Sequence, residues 1–263
     1  MGSVLSFAML AGAAAAEAKA RRGAAGSARS VGAIQFSAQR GFYNAPIEVA
    51  ITTRTPGAQV YYTTNGAAPA PNSGLPYERP LRIETTTVLR AAAFKDGVAS
   101  ADVDTHSYTF PKDVLKQTGV GFPKTWGTNQ GAPVPADYEM DPDIVRHPVY
   151  GEVLVPALKS IPTLSVVMDL GDLFGTSRGI YTNPNQSGLE WERPASVELI
   201  YPDDRKTFHV NCGIRIQGGW NRRPEESPKH SFRLLFKKKY GPAKLKLPLF
   251  GNDGVSEFET IIL

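Results

Sequence analysis

The chain has 263 residues, and its 25 Gly and 21 Pro make up about a sixth of it, against a usual ~12%. With 10 Tyr and 12 Phe, this composition favours short strands and many turns over a helical bundle. No run reaches the ~18 consecutive apolar residues of a membrane helix. The single cysteine, Cys212, excludes an internal disulfide or a four-thiolate zinc site, and four histidines leave little for a histidine-rich metal centre. The net charge of +4 is modest, so its distribution matters more than its size.

Residues 1–32 read apart from the rest. Val4 to Ala16 is apolar and alanine-rich, and Ala14-Ala15-Ala16 and Ala16-Glu17-Ala18 have the small-x-small form of a signal-peptidase site. This predicts export, although Met1-Gly2-Ser3 lacks the basic residues that usually precede such a segment. The competing reading is a frayed terminus.

Residues 33–110 follow a period of two. Ile47, Val49 and Ile51 alternate with Glu48, Ala50 and Thr52, and Leu81 and Ile83 with Arg82 and Glu84. Turn signals at Thr55-Pro56-Gly57, Asn65-Gly66, Asn72-Ser73-Gly74 and Asp96-Gly97 divide the segment into six or seven short strands, which predicts a small β-sandwich. Residues 111–160 carry Pro111, Pro123, Pro133, Pro135, Pro142, Pro148 and Pro156, and read as a linker whose prolines interrupt every regular element. Asp137, Glu139, Asp141 and Asp143 have calcium-loop spacing, but Pro142 and Pro148 occupy the required Gly and Glu positions, which excludes that loop.

Strands resume in 161–263: Leu164 to Met168, Ala195 to Tyr201, Phe208 to Ile216, Phe232 to Phe236 and Leu245 to Leu249. The apolar close at Thr260-Ile261-Ile262-Leu263 predicts that this unit continues past Leu263, since chain ends are normally polar and exposed. Its charge is uneven. Arg215 to Lys246 holds ten basic residues against Glu225 and Glu226, a field suited to phosphate or another polyanion. Within it, Gly218-Gly219 ends a strand and frees backbone N–H groups for an anion, with Arg222, Lys229 and Arg233 close by in sequence. The plainer alternative is a solvated strand face, and for Lys237 to Lys239 a hairpin turn is the better reading. Gly175-Thr176-Ser177-Arg178-Gly179 matches G-x-S-x-G. With Ile180 to Thr182 expected as strand rather than helix after it, it reads as a turn and not a nucleophile elbow. Cys212 falls among inward-facing residues as a core thiol, and His209 and His230 lack a carboxylate partner nearby in sequence. Trp126, Trp191 and Trp220 could stack on sugar rings, although packing is the plainer role.

Val60-Tyr61-Tyr62-Thr63-Thr64-Asn65-Gly66, Pro80-Leu81 and Thr86 to Phe94 resemble the chitobiase/β-hexosaminidase C-terminal domain, an immunoglobulin-like accessory module of secreted bacterial proteins. The usual Asp is Asn65 here, and Ala67 to Ala70 replace a Ser-x-Pro-Thr run. Residues 161–263 resemble the start of a CotH (spore coat protein H) kinase domain. The carriers are Ile161-Pro162-Thr163-Leu164-Ser165, Gly179-Ile180-Tyr181 and Glu192 to Glu198, with Gly213 to Gly219, Pro228 to Leu234, Tyr240-Gly241 and Pro248-Leu249-Phe250. The family's Gly-Gly-x-Ser-Arg stands here as Gly218-Gly219-Trp220-Asn221-Arg222.

The resemblances imply a mainly β protein with some α structure, an immunoglobulin-like sandwich followed by the β-rich start of an α+β atypical kinase. They imply ATP and Mg²⁺ as cofactors of the whole protein, with Gly218, Gly219, Arg222, Lys229 and Arg233 facing phosphate. Catalytic and metal-binding acids are expected beyond Leu263, so this stretch alone is expected to be inactive. The implied partner is a surface or coat protein substrate at a secreted or cell-surface location, with carbohydrate a candidate for the sandwich. Nothing points to nucleic acid or a membrane span. The alternative is a cell-surface adhesion or carbohydrate-binding protein with a non-catalytic kinase-like scaffold.

Overall fold

A computed structural model describes residues 31–100, 102–203, 207–251 and 253–263, so the signal-like residues 4–29 lie outside the described residues. The architecture is mainly β. Ten short strands come first: β1 (Ile34–Phe36), β2 (Gly41–Phe42), β3 (Ile47–Val49), β4 (Ile51–Thr53), β5 (Gln59–Thr63), β6 (Leu75–Pro76), β7 (Leu81–Ile83), β8 (Thr87–Lys95), β9 (Val98–Ala99) and β10 (Asp104–Thr109). One sheet runs β2-β10-β8-β5-β6 with β9 paired to β8, and the ladders β1-β4 and β3-β7 make the opposing layer. Ile34, Val49, Ile51, Val60, Ile83, Leu89, Ala91, Ala93 and Tyr108 fill the space between them. The period-two pattern has this cause, since alternate residues of each strand point into one shared core. Asp96 and Gly97, both at positive φ, close the two-residue hairpin between β8 and β9.

The proline-rich stretch is more regular than its sequence suggests. It contains α1 (Pro111–Val114), the hairpin β11 (Thr125–Asn129) and β12 (Ala132–Pro135), α2 (Pro142–Val145) and α3 (Tyr150–Leu158). Its prolines therefore do not interrupt every element. Pro111 and Pro142 sit in the first helical turn, where the missing N–H is not needed. Asp141 caps α2 by accepting from the Asp143 N–H at 2.8 Å. Pro133 and Pro135 lie in a two-stranded ribbon, where an absent donor costs little. Pro156 lies inside α3, and its carbonyl accepts from Lys159 at 3.1 Å.

The remaining strands are β13 (Thr163–Val167), β14 (Arg193–Ile200), β15 (Phe208–Ile216), β16 (Phe232–Leu235), β17 (Leu245–Lys246), β18 (Glu257–Phe258) and β19 (Thr260–Ile262), with α4 (Leu170–Phe174) after β13. Their main sheet is an antiparallel array β13-β14-β15-β16-β19. One face carries Ala195, Val197, Cys212, Ile214, Ile216, Phe232 and Leu234 onto Leu173 and Ile180. Asp169 caps α4, accepting from Gly171 and Asp172 N–H at 2.8 and 3.1 Å. The Gly175–Gly179 segment follows this helix as a turn, and Ile180 to Thr182 continue as turn rather than strand. That context is even further from a nucleophile elbow.

The other face of this sheet is polar and packs on the sandwich, with β10 lying against β14. Glu198 is 0% exposed and accepts from Ser107 N–H at 3.1 Å and from Ser107 Oγ at 2.5 Å. Arg40 Nε lies 2.7 Å from Glu198, and Arg40 Nη2 lies 3.2 Å from Asp104. Asn211 donates to Val103 O at 3.1 Å, and Ser107 and Ser165 hydroxyls meet at 2.8 Å. The two sheets are thus joined by buried hydrogen bonds and charge. The joint is close at Gly66 (φ +80), where a Cβ would stand 2.5 Å from Met168 O.

Candidate anion-binding site

The site is built where β15 ends. Gln217 N–H donates to Ser231 O at 2.8 Å, which holds the strand end against the segment leading into β16. The chain then turns through Gly218 at φ +119, a value that favours glycine, and Gly219 opens a 3-10 turn over Trp220–Arg222. Both glycines are exposed, and a Cβ on Gly219 would meet no atom within 4 Å. Backbone here is open to an incoming group.

Three guanidinium groups flank this turn. Arg215 and Arg233 are cross-strand partners on β15 and β16, an arrangement of like charges that destabilises a sheet unless something offsets it. Arg215 has Glu192 at 3.7 Å. Arg233 makes no ion pair among the described residues, and its Nε is buried with no hydrogen-bond partner. Arg222 donates to Ile216 O at 2.6 Å and Gln186 O at 2.8 Å, binding the 184–186 loop to the strand end. Those acceptors are neutral, so its charge is not cancelled. Burial first, then Arg215 and Arg233, lower the pKa of Arg222 below its ordinary value.

His230 belongs to the same cluster and was not evident from sequence as a site residue. It is 6% exposed, and neither ring nitrogen makes a hydrogen bond of good geometry. Tyr181 packs on the ring at 4.8 Å between centroids, and the Tyr181 hydroxyl accepts from His230 N–H at 3.3 Å. Burial and then Arg222 lower its pKa, while the nearby Asn221 backbone raises it. The imidazole thus stands buried, without a well-formed hydrogen bond, beside arginines that lack a carboxylate partner among the described residues.

The other basic residues divide as follows. Lys229 is exposed, lies 3.5 Å from Asp137 and 5.8 Å from the Trp126 ring, and has these as its partners rather than the arginines. Lys237 is 2.6 Å from the buried Glu192, which also receives the Tyr240 hydroxyl at 3.3 Å. Lys244 and Lys246 pair with Glu257 at 3.5 and 3.1 Å. Trp126 is buried and donates to Tyr138, Trp191 lies under Arg193, and Trp220 is 61% exposed with Arg223 3.9 Å above its ring.

A second polar constellation spans the joint. His209 Nε2 lies 2.6 Å from Ser196 Oγ, and its Nδ1 lies 3.4 Å from Asp104, so the carboxylate partner missing nearby in sequence comes from β10. The arrangement has the order of a catalytic triad, but the chemistry does not follow. Ser196 is 0% exposed and lines neither of the two adjoining cavities, of about 690 and 300 Å³, that reach His209. Burial, then Arg40 and Arg90, push the His209 pKa down to about 3, too low for an effective base at neutral pH. These residues fasten the sheets. Cys212 is likewise fully buried, with its thiol pKa pushed up to about 12.

The fold defines a β-sandwich fastened to a five-stranded antiparallel sheet that carries a basic turn at one end. Within it, residues 38–105 match the family model of the chitobiase/beta-hexosaminidase C-terminal domain, which covers β2 to β9 and the start of β10. The match takes in about a quarter of the chain, and the basic turn lies outside it. No curated protein and no solved structure matches the chain.

Proposed function

We propose that this chain belongs to an exported CotH-type atypical protein kinase, in which the sheet following the sandwich binds nucleotide phosphates and the sandwich serves as an accessory module. The observation that carries the reading is the arginine cluster. Arg222 and Arg233 have no carboxylate partner among the described residues, lie with Arg215, and flank an exposed Gly218-Gly219 turn. A phosphate chain supplies the missing negative charge and accepts N–H donors from a glycine turn. Lys229 contributes as a peripheral charge, since Asp137 already faces it. The described residues include no group of three His, Cys, Asp or Glu that could hold a metal, so for this chain the proposal covers phosphate binding and routes no step through Mg²⁺.

The test is titration of the full chain with a fluorescent ATP analogue at constant ionic strength. A charge-assisted contact contributes about 1.5–3 kcal/mol, so Arg233→Ala should weaken binding by roughly 10- to 150-fold. Lys238→Ala, an exposed charge outside the cluster, should change it less than about twofold. Equal, salt-sensitive losses in both variants would mean a diffuse electrostatic surface instead of a site. The alternative of an adhesion or carbohydrate-binding protein draws on the exposed Trp220 ring, and gains if neither substitution matters.

A further inference from the structure

His230 is placed where the cluster's charge can control it. The groups facing it are Tyr181, from the turn after α4, and Asn221 and Arg222, from the 3-10 turn. Arg215 and Arg233 stand around Arg222, and the neighbouring Lys229 is turned to Asp137. No carboxylate faces the imidazole among the described residues. A neutral imidazole has one donor and one acceptor nitrogen, and here both are buried without a well-formed partner. Resting on the phosphate-binding reading, we infer that anion binding at this turn is coupled to proton uptake by His230. The imidazole lone pair takes a proton from solvent as the anion seats, one N–H bond forms, and no bond in the protein breaks.

The physical cause is a change of sign in the local field. Without an anion, burial and the Arg222 charge both disfavour imidazolium, and only the Asn221 backbone favours it. A dianion against Arg222 and Arg233 offsets the repulsion and makes the buried cation tolerable. The added N–H is a donor facing the Asn221 backbone, the neighbour that already favours the charged ring. By linkage, if the anion raises the proton affinity of His230, the proton raises the anion affinity by the same factor. Binding therefore tightens as pH falls through the interval between the two His230 pKa values and levels off below it.

Sulfate is the suitable probe, because its own charge is constant between pH 5.5 and 8 whereas phosphate titrates there. Isothermal titration of the full chain at fixed ionic strength should give sulfate binding roughly three- to tenfold tighter at pH 5.5 than at pH 8. His230→Gln should flatten that dependence. Buried His106 and His209, with pKa values near 3, stay neutral throughout. The exposed His147 is checked by His147→Gln, which should leave the pH dependence intact. Because a buried substitution can disturb folding, the ring of His230 is also followed by NMR in the unaltered chain, where saturating sulfate should raise its titration midpoint. Sulfate binding with no pH dependence and an unmoved midpoint would overturn the coupling and leave the phosphate site standing. Failure of sulfate to bind at any pH would overturn both.

Discussion

Glu198 offers the clearest perturbation of the joint between the two sheets. Glu198→Ala removes the acceptor for two Ser107 donors and the counter-charge of Arg40, whose other acidic neighbour is Asp104 at 3.2 Å. Deleting one partner of a buried pair costs about 3–5 kcal/mol, because the remaining charge stays buried. Glu198→Gln keeps an acceptor and should cost less. The pH dependence carries a definite sign. Burial pushes the Glu198 pKa up to about 7 from 4.5, even with Arg40 and Ser107 pulling it down. The folded state then holds this proton more tightly than the unfolded chain. The resulting stability is fully present below about pH 4.5 and is lost as pH rises through about 7, a change on the order of 3 kcal/mol. Buried His106 and His209 act oppositely, with folded values near 3, so their stability is present above about 6.5 and lost as pH falls. Comparing unaltered chain with Glu198→Gln by urea denaturation cancels the histidines. The advantage of the unaltered chain should shrink by about 2–3 kcal/mol between pH 5 and 8. A constant or growing advantage, or Glu198→Ala within about 0.5 kcal/mol of the original, would refute the assignment.

Gly66→Ala should destabilise the joint by about 2 kcal/mol or more, because its Cβ would stand 2.5 Å from Met168 O on a residue at φ +80; denaturation midpoints measure this. Lys237→Ala should destabilise more than Lys238→Ala, since Lys237 lies 2.6 Å from the buried Glu192 while Lys238 is exposed, and thermal melts of both variants compare them. Cys212 should resist a thiol reagent in the native state and react fully in denaturant, given its buried thiol and raised pKa.

Much of the β architecture was legible because alternation reports a face. Ile47, Val49 and Ile51 in the sandwich and Cys212, Ile214 and Ile216 in the sheet point inward as their period indicates. The joint was not legible for the same reason. Thr105, Ser107, Ser196 and Glu198 have the polarity of a solvent face, and they are buried because two polar faces satisfy each other. Hydrogen bonds between residues 107 and 198 leave no trace in local periodicity. The proline stretch misled because Pro111 and Pro142 stand at helix starts, Pro133 and Pro135 in a two-stranded ribbon and Pro156 within α3, so residue type alone did not show where each element could form. At the basic turn, Gly218, Gly219, Arg222 and Arg233 were legible as candidates, and the fold brings them together. The sequence could not show that Lys229 turns to Asp137 or that His230 lies buried beside Arg222, both of which depend on side-chain partners distant in sequence. The alternation of Phe232, Leu234 and Phe236 is the one local signal near His230, and it places this residue at the edge of a core strand.

The most direct test of the proposed phosphate site is a backbone-amide NMR titration of the full chain with inorganic tripolyphosphate. Saturable shifts are expected, centred on Gly218, Gly219, Asn221, Arg222 and Arg233, with the Lys237 to Lys246 amides little affected. Shifts that spread evenly over the basic residues without saturating, or that leave Gly218 and Gly219 unmoved, would contradict it.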